Sequence, residues 1–217
     1  MANLAVFDLD YTLTRQGTWG RFVSAAVRGR PLALPALWTV AGLTQLAYKR
    51  GRVPRIAVKT AMLRRSFSGW PRDRIEALAD RFVARDEKDG MNARVLHALG
   101  EHQARGDTVL IASAAVDVLV SRYADALAVD GQVSTALAWD GDRVGDGFAS
   151  ANCYGAEKLV RVQAWLAERG LSPSRVTAYS DSRSDAPLLE WADRAVVVRP
   201  RAKTRRYAAS QGFEVWT

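Results

Sequence analysis

The stretch Ala5-Val6-Phe7-Asp8-Leu9-Asp10-Tyr11-Thr12-Leu13-Thr14 decides how this chain is read. An apolar run ends abruptly in two carboxylates, with a hydroxyl two residues beyond the second. Residues 4–7, apolar without a polar alternate, read as a short strand buried on both faces, the kind found in parallel sheets. Open α/β sheets bind their ligands beyond the carboxyl ends of the strands, which is where Asp8 and Asp10 arrive. In extended chain, residues two apart point the same way. Two carboxylates on one side repel, so the pair asks for a cation or a shared proton. Read alone, it also fits a solvated loop after a strand.

Three later stretches bear on that choice. Residues 108–113 (TVLIAS) read as a second strand ending in a hydroxyl, and a helix follows from about Val116 to Ala126. Ser113, Ala114 and the first amides of that helix would form a phosphate cradle, because helix N-termini offer free N–H groups and positive dipole. Ser113 as a plain helix cap is the alternative. Asn152-Cys153-Tyr154-Gly155-Ala156-Glu157-Lys158 opens another helix and puts a lysine in its first turn, against the dipole. A cation there wants a specific anionic partner, unless it is merely solvated. Residues 175–180 read as a third strand, and Asp181 and Asp185 follow its end. Residues 132–149 read as strands around an Asp140-Gly141-Asp142 hairpin turn, without EF-hand spacing. Residues 195–198 add a strand and 203–211 a basic helix. Strands alternating with helices predict a Rossmann-like parallel sheet of the α/β class.

With 217 residues the chain can bury a full core and hold one domain plus an insertion. One cysteine, Cys153, excludes an internal disulfide and fits a reducing compartment; two histidines argue against a His-rich metal site. No secretory signal is visible, so a cytoplasmic location is expected, with the inner face of the membrane as a variant of it. The net charge of +8 is unevenly spread. Residues 11–72 hold twelve Lys/Arg and no Asp or Glu, while the remainder holds 19 basic and 23 acidic residues. That segment should face something anionic. It lacks a recognisable nucleic-acid motif, and no nucleic acid is expected.

Inside it, residues 32–48 (LALPALWTVAGLTQLAY) run 17 positions without a charge. That is short of the ~20 needed to cross a bilayer. Two readings stay open: a helix buried within a helical insertion, or an interfacial helix resting on an anionic membrane, with Lys49, Arg50, Arg52 and Arg55 meeting head groups.

Taken together, Asp8/Asp10, Ser113, Lys158 and Asp181/Asp185 suit phosphoryl transfer, with carboxylates for Mg2+, one carboxylate as nucleophile, and a hydroxyl and ammonium for the phosphate oxygens. The set resembles the haloacid dehalogenase superfamily, in its phosphoserine-phosphatase-like subfamily. D-L-D-Y-T looks like its first motif, I-A-S-A its second, G-A-E-K its third and Y-S-D-S-R-S-D its fourth. The resemblance implies Asp8 as nucleophile and Asp10 as general acid, then base, and a Mg2+ site from Asp8, the Asp10 carbonyl and Asp181. Ser113, Ala114 and Lys158 would bind phosphate. Asp185, which would meet the metal through water or hold Lys158, would support the site, as would Thr12. It also implies a helical cap after the first strand, dividing the chain into a core of 1–14 and 89–217 and a cap of 15–88. Arg15, Trp19, Arg52, Arg64 and Arg65 are the cap residues expected to face substrate. Phosphoserine phosphatases carry a glutamate after the first motif; here that region reads Arg15-Gln16-Gly17-Thr18-Trp19, and no acid occurs before Asp73. This disfavours phosphoserine, and histidinol phosphate to a lesser degree. It favours an anionic or lipid-borne phosphate such as phosphatidylglycerophosphate over a soluble small-molecule phosphate. The competing class is a non-catalytic module that docks on membrane or nucleic acid.

Overall fold

β1 (Leu4–Phe7) pairs in parallel with β2 (Thr108–Val116) on one side and β6 (Val176–Ser180) on the other. β3 (Gly131–Thr135) extends the sheet beyond β2; β7 (Arg194–Val198) and β8 (Glu214–Trp216) extend it beyond β6. The order is β3-β2-β1-β6-β7-β8, all parallel. The structure is a computed structural model and describes residues 3–217. The chain runs outward through β2 and β3, then crosses back to β6 and runs outward again. The reversal beside β1 opens a crevice at the carboxyl ends of β1, β2 and β6.

Each inner strand is apolar on both sides because both faces are covered. Ala5, Phe7, Val109, Ile111, Tyr179, Val196 and Val198 face one core, shared with α5 (Ala93–Ala104) and α6 (Asp117–Ala126). Leu4, Val6, Leu110, Ala112, Ala178, Ala195 and Val197 face the other, shared with α7 (Ala156–Glu168), α8 (Ala186–Trp191) and α9 (Ala202–Gln211). Packing of β3 on α7 is close: a Cβ at Gly131 would come within 2.7 Å of the Trp165 ring.

Four helices precede α5 in the segment between β1 and β2: α1 (Thr18–Ala26), α2 (Ala33–Lys49), α3 (Ile56–Ser66) and α4 (Arg72–Asp89). The segment leaves and returns at one place. Thr14 pairs antiparallel with Met91, the Arg15 N–H donates to the Gly90 carbonyl at 2.7 Å, and the Asn92 N–H donates to Leu13 at 2.8 Å. A two-stranded hairpin, β4 (Leu137–Asp140) with β5 (Arg143–Phe148), reaches up to this segment: the Val144 N–H donates to Trp70 and the Gly69 N–H to Val144, both at 2.8 Å.

The turn expected at Asp140-Gly141-Asp142 joins β4 to β5, while β3 belongs to the main sheet. One of the two readings of residues 32–48 needs correction. The helix spanning 32–48 is not buried in the insertion. Leu37 and Ala41 are buried, but Leu32 is 82% exposed, Leu43 65% and Trp38 50%. With apolar residues all round, the helix has more apolar surface than its neighbours can cover.

Candidate active site

Phe7 ends β1, and residues 9–13 close into one wide turn in which the Thr14 N–H donates to Leu9 at 2.9 Å. Tyr11 sits at φ 61, a left-handed conformation uncommon outside glycine. The turn puts Asp8 and Asp10 to different uses. The Asp8 carboxylate, buried, accepts from Lys158 Nζ at 2.7 Å through Oδ1 and from the Thr12 hydroxyl at 3.0 Å through Oδ2. The Asp10 carboxylate accepts from the Thr18 N–H, the first of α1, at 2.7 Å. Burial raises the Asp10 carboxyl, against the Thr18 hydrogen bond and the more distant charges of Lys158 and Lys59.

Gly155, at φ 64 and ψ −134, takes a conformation that a side chain would forbid and swings the chain into α7. That turn brings Lys158 under β1. Its ammonium, 2% exposed, bridges Asp8 and Asp185, each at 2.7 Å. Asp185 also accepts from the Ser180 hydroxyl at 2.7 Å. One cation therefore faces two buried carboxylates. Burial, with the charges of Asp185 and Asp181, pushes the Asp8 carboxyl up to about 8 against the pull of Lys158; Lys158 in turn is held firmly charged by its two partners, against its own burial.

Asp181 follows β6 and is half-buried; among the described residues its carboxylate makes no hydrogen bond or ion pair. Burial first, then Asp185, pushes it up to about 6. An oxygen-rich site carrying excess negative charge fits a hard cation such as Mg2+, which keeps several waters. Among the described residues no group of three or more His, Cys, Asp or Glu side chains could hold a metal ion. A set of two carboxylates, one backbone carbonyl and water does not require three.

Ser113 is buried at the bend late in β2, and its hydroxyl accepts from the Ala115 N–H at 3.0 Å. The Ala114 carbonyl accepts from Thr135 and from Lys59 of α3. Lys59 was not singled out in the sequence, being one of twelve bases in its segment. The signal that could have found it is its place one helical turn after Arg55: both reach the core, Arg55 donating to the Tyr154 hydroxyl at 3.0 Å.

The expected cap residues separate into two groups. Arg15 and Trp19 line a cavity of about 1690 Å3 that runs from Asp10 and Tyr11 outward between α1, α2 and α4. Arg52, Arg64 and Arg65 do not line it; Arg64 is spent on the Asp146 carbonyl at 2.8 Å. Arg28, Arg30, Arg81 and Arg85, not expected, do line it. Asp8, Ser113, Lys158 and Asp181 lie outside its wall, past the Asp10 end.

A family model of haloacid dehalogenase-like hydrolases matches residues 5–190. The chain belongs to that family. It is 30% identical over 122 residues to a histidinol-phosphatase of Neisseria meningitidis serogroup C, covering 52% of this chain and 53% of that protein. The chain spans about half the length of the first curated relatives it matches. In fold it is similar to a protein of unknown function from Bordetella pertussis Tohama I, with TM-score 0.87 at 22% identity, covering 100% of this chain and 99% of that one. It is also similar to a substrate-bound phosphoserine phosphatase, with TM-score 0.68 at 13% identity, covering 100% and 93%.

Proposed function

We propose that this chain is a phosphomonoester phosphatase working through an aspartyl-phosphate intermediate. The observation that carries the reading is the Lys158 bridge between Asp8 and Asp185 beside an unpartnered Asp181, at the joined ends of β1 and β6. Asp8 attacks phosphorus, and the ester P–O bond breaks as the Asp8 O–P bond forms. Asp10 gives its proton to the leaving oxygen, which a burial-raised carboxyl is suited to do. It then takes a proton from the water that hydrolyses the acyl phosphate, regenerating both groups. Lys158 and the Ser113 hydroxyl neutralise the phosphoryl oxygens as charge develops. Asp8, Asp181 and the Asp10 carbonyl would hold Mg2+, which when bound adds positive charge beside the transferring phosphoryl group. Thr12 and Asp185 hold Asp8 and Lys158 in aim.

Residues 15–88 act as the cap in this reading, and its cavity takes the leaving group. Arg15, Arg28, Arg30, Arg81 and Arg85 line the cavity, and none forms an ion pair among the described residues. This supports a leaving group that is itself anionic. Leu34, Pro35 and Trp38 continue the wall in apolar material, and the exposed apolar residues of α2 are flanked along the chain by Arg28 and Arg30 before and by Lys49, Arg50 and Arg52 after. We therefore favour a lipid-borne phosphate met at an anionic membrane surface. No described helix is long and apolar enough to cross a membrane.

Turnover of p-nitrophenyl phosphate with and without Mg2+ tests the chemistry; no metal-dependent turnover by the purified protein would overturn it. A screen of sugar and amino-acid phosphates beside lipid phosphates in mixed micelles tests the substrate. Faster turnover of a soluble metabolite phosphate would replace the lipid reading and leave the phosphatase standing.

A further inference from the structure

Lys59 is a cation set among neutral acceptors. Its ammonium donates to the Ala114 carbonyl at 2.5 Å and to Asn152 Oδ1 at 3.0 Å, with the Thr135 hydroxyl at 3.4 Å. It lies 4.9 Å from the Phe148 ring centre and 5.7 Å from that of Trp19. Among the described residues it has no carboxylate partner within ion-pair distance. Burial pushes it down to about 8, with Asp10 and Cys153 pulling the other way and Arg55 adding to the fall. Such a placement works against folding, so what the ammonium holds is worth following.

The Ala114 carbonyl and the Ala115 N–H belong to one peptide unit, which is planar and stiff. Lys59 grips its oxygen end. At its other end, the Ala115 N–H holds the Ser113 hydroxyl at 3.0 Å. The second acceptor, Asn152, lies in the loop that leads into α7 and Lys158, and Arg55 grips the same loop at Tyr154. Lys59 of α3 and Arg55 just before it thus fasten the end of β2, which carries Ser113, and the loop that leads to Lys158.

We propose that Lys59 is a positioning residue for the phosphate site: seated with α3, it fixes the Ala114–Ala115 peptide plane and so aims the Ser113 hydroxyl, which makes the phosphate cradle complete only while the inserted helices are docked. The proposal rests on the phosphatase reading for its substrate. It is independent of the leaving group, since each hydrogen bond of Lys59 goes to a group off the cavity wall. Removing the ammonium leaves the Ala114 carbonyl with the Thr135 hydroxyl at 3.0 Å, so the loop should loosen rather than collapse.

A double-mutant cycle tests this. Lys59→Met keeps the bulk and removes the charge. It should lower kcat/KM for p-nitrophenyl phosphate about tenfold, mostly in kcat, and Lys59→Arg should recover most of the loss. In a Ser113→Ala background the same Lys59→Met change should cost less than about threefold, because groups acting through one another do not add. Calorimetry with inorganic phosphate, run on the same four proteins, reads the coupling without turnover. If the parent protein binds phosphate but hydrolyses nothing, the phosphatase reading falls while the coupling is still measured. Multiplicative losses in kcat and in phosphate affinity would overturn the proposal, as would unchanged kinetics in Lys59→Met. Should Lys59→Met melt far below the parent, Lys59→Gln replaces it in the same cycle.

Discussion

Two charge clusters in the molecule differ in how their charges balance. Where the insertion meets α6, Arg21 of α1 donates two bonds to Asp86 of α4, both at 2.6 Å, and the Tyr123 hydroxyl of α6 adds a third at 2.6 Å. The guanidinium also lies over the Phe82 ring at 4.9 Å. One cation meets one anion, and a neutral phenol fills a remaining lone pair; Tyr123 is held protonated by its burial and by Asp86. The cluster is self-contained and ties three helices together. At the end of β1, one ammonium faces Asp8 and Asp185 with Asp181 nearby, and the charges do not cancel. The difference separates a strut from a site: a matched buried cluster holds the fold, whereas an unmatched one waits for a ligand of the missing sign.

The largest effect should come from breaking the unmatched cluster. Asp8→Asn should reduce turnover by about a thousandfold or more, since an amide is a poor nucleophile. It should leave the melting temperature equal or higher, because Lys158 then faces a single carboxylate. A phosphatase assay beside a thermal melt reads both. Asp86→Ala should act first on stability. It strands Arg21 and Tyr123 beside a cavity at an expected cost of about 3–5 kcal/mol, read as a fall of about 10 °C in the melting midpoint.

A subtler test uses pH. With Asp8 pushed up to about 8, the folded metal-free protein holds a proton there that the unfolded chain has lost. Stability should therefore fall as pH rises from 7 to 8, by about 1.4 kcal/mol per unit at most, or about 3 °C. Lys59, pushed down to about 8, opposes this only near the top of the range. Saturating Mg2+ should remove the fall, since a cation beside Asp8 favours its charged form. Melts at pH 7 and 8, with and without the metal, decide it. The smallest effect should be Leu43→Glu, an exposed position on α2 off the cavity wall. It should weaken pelleting with phosphatidylglycerol vesicles severalfold at low salt and leave p-nitrophenyl phosphate turnover unchanged. A protein that stays in the supernatant with such vesicles would end the membrane reading.

The strands that carry Asp8, Ser113 and Asp181 were legible because each is a local pattern: an apolar run followed by a polar group, repeated in order along the chain. Lys158 was legible as an anomaly, a cation where the helix dipole disfavours one. The strut was not, because Arg21, Asp86 and Tyr123 are spread over three helices and no spacing links them. Lys59 was hidden for a related reason: its main acceptor is a backbone carbonyl, which leaves no mark in the sequence. The exposure of α2 was unreadable since a helix apolar on every side shows no face to assign. β8 was missed because three residues at a sheet edge are too few to show alternation.

The hydrogen bonds from Arg15 to Gly90 and from Asn92 to Leu13, with the Thr14–Met91 pairing between them, make the inserted segment a closed loop on a fixed stem. Antiparallel partners sit about 5 Å apart at Cα, so the core sees nearly the same two chain ends whatever lies between them. Loop-closure entropy grows only with the logarithm of length, about 0.6 kcal/mol per doubling. Closure entropy therefore sets little limit on the length of residues 16–89; the contacts of Asp86, Lys59 and Gly69 with the core do. On the positioning role proposed for Lys59, a replacement segment would keep full phosphate binding only by bringing a cation to the Ala114 carbonyl.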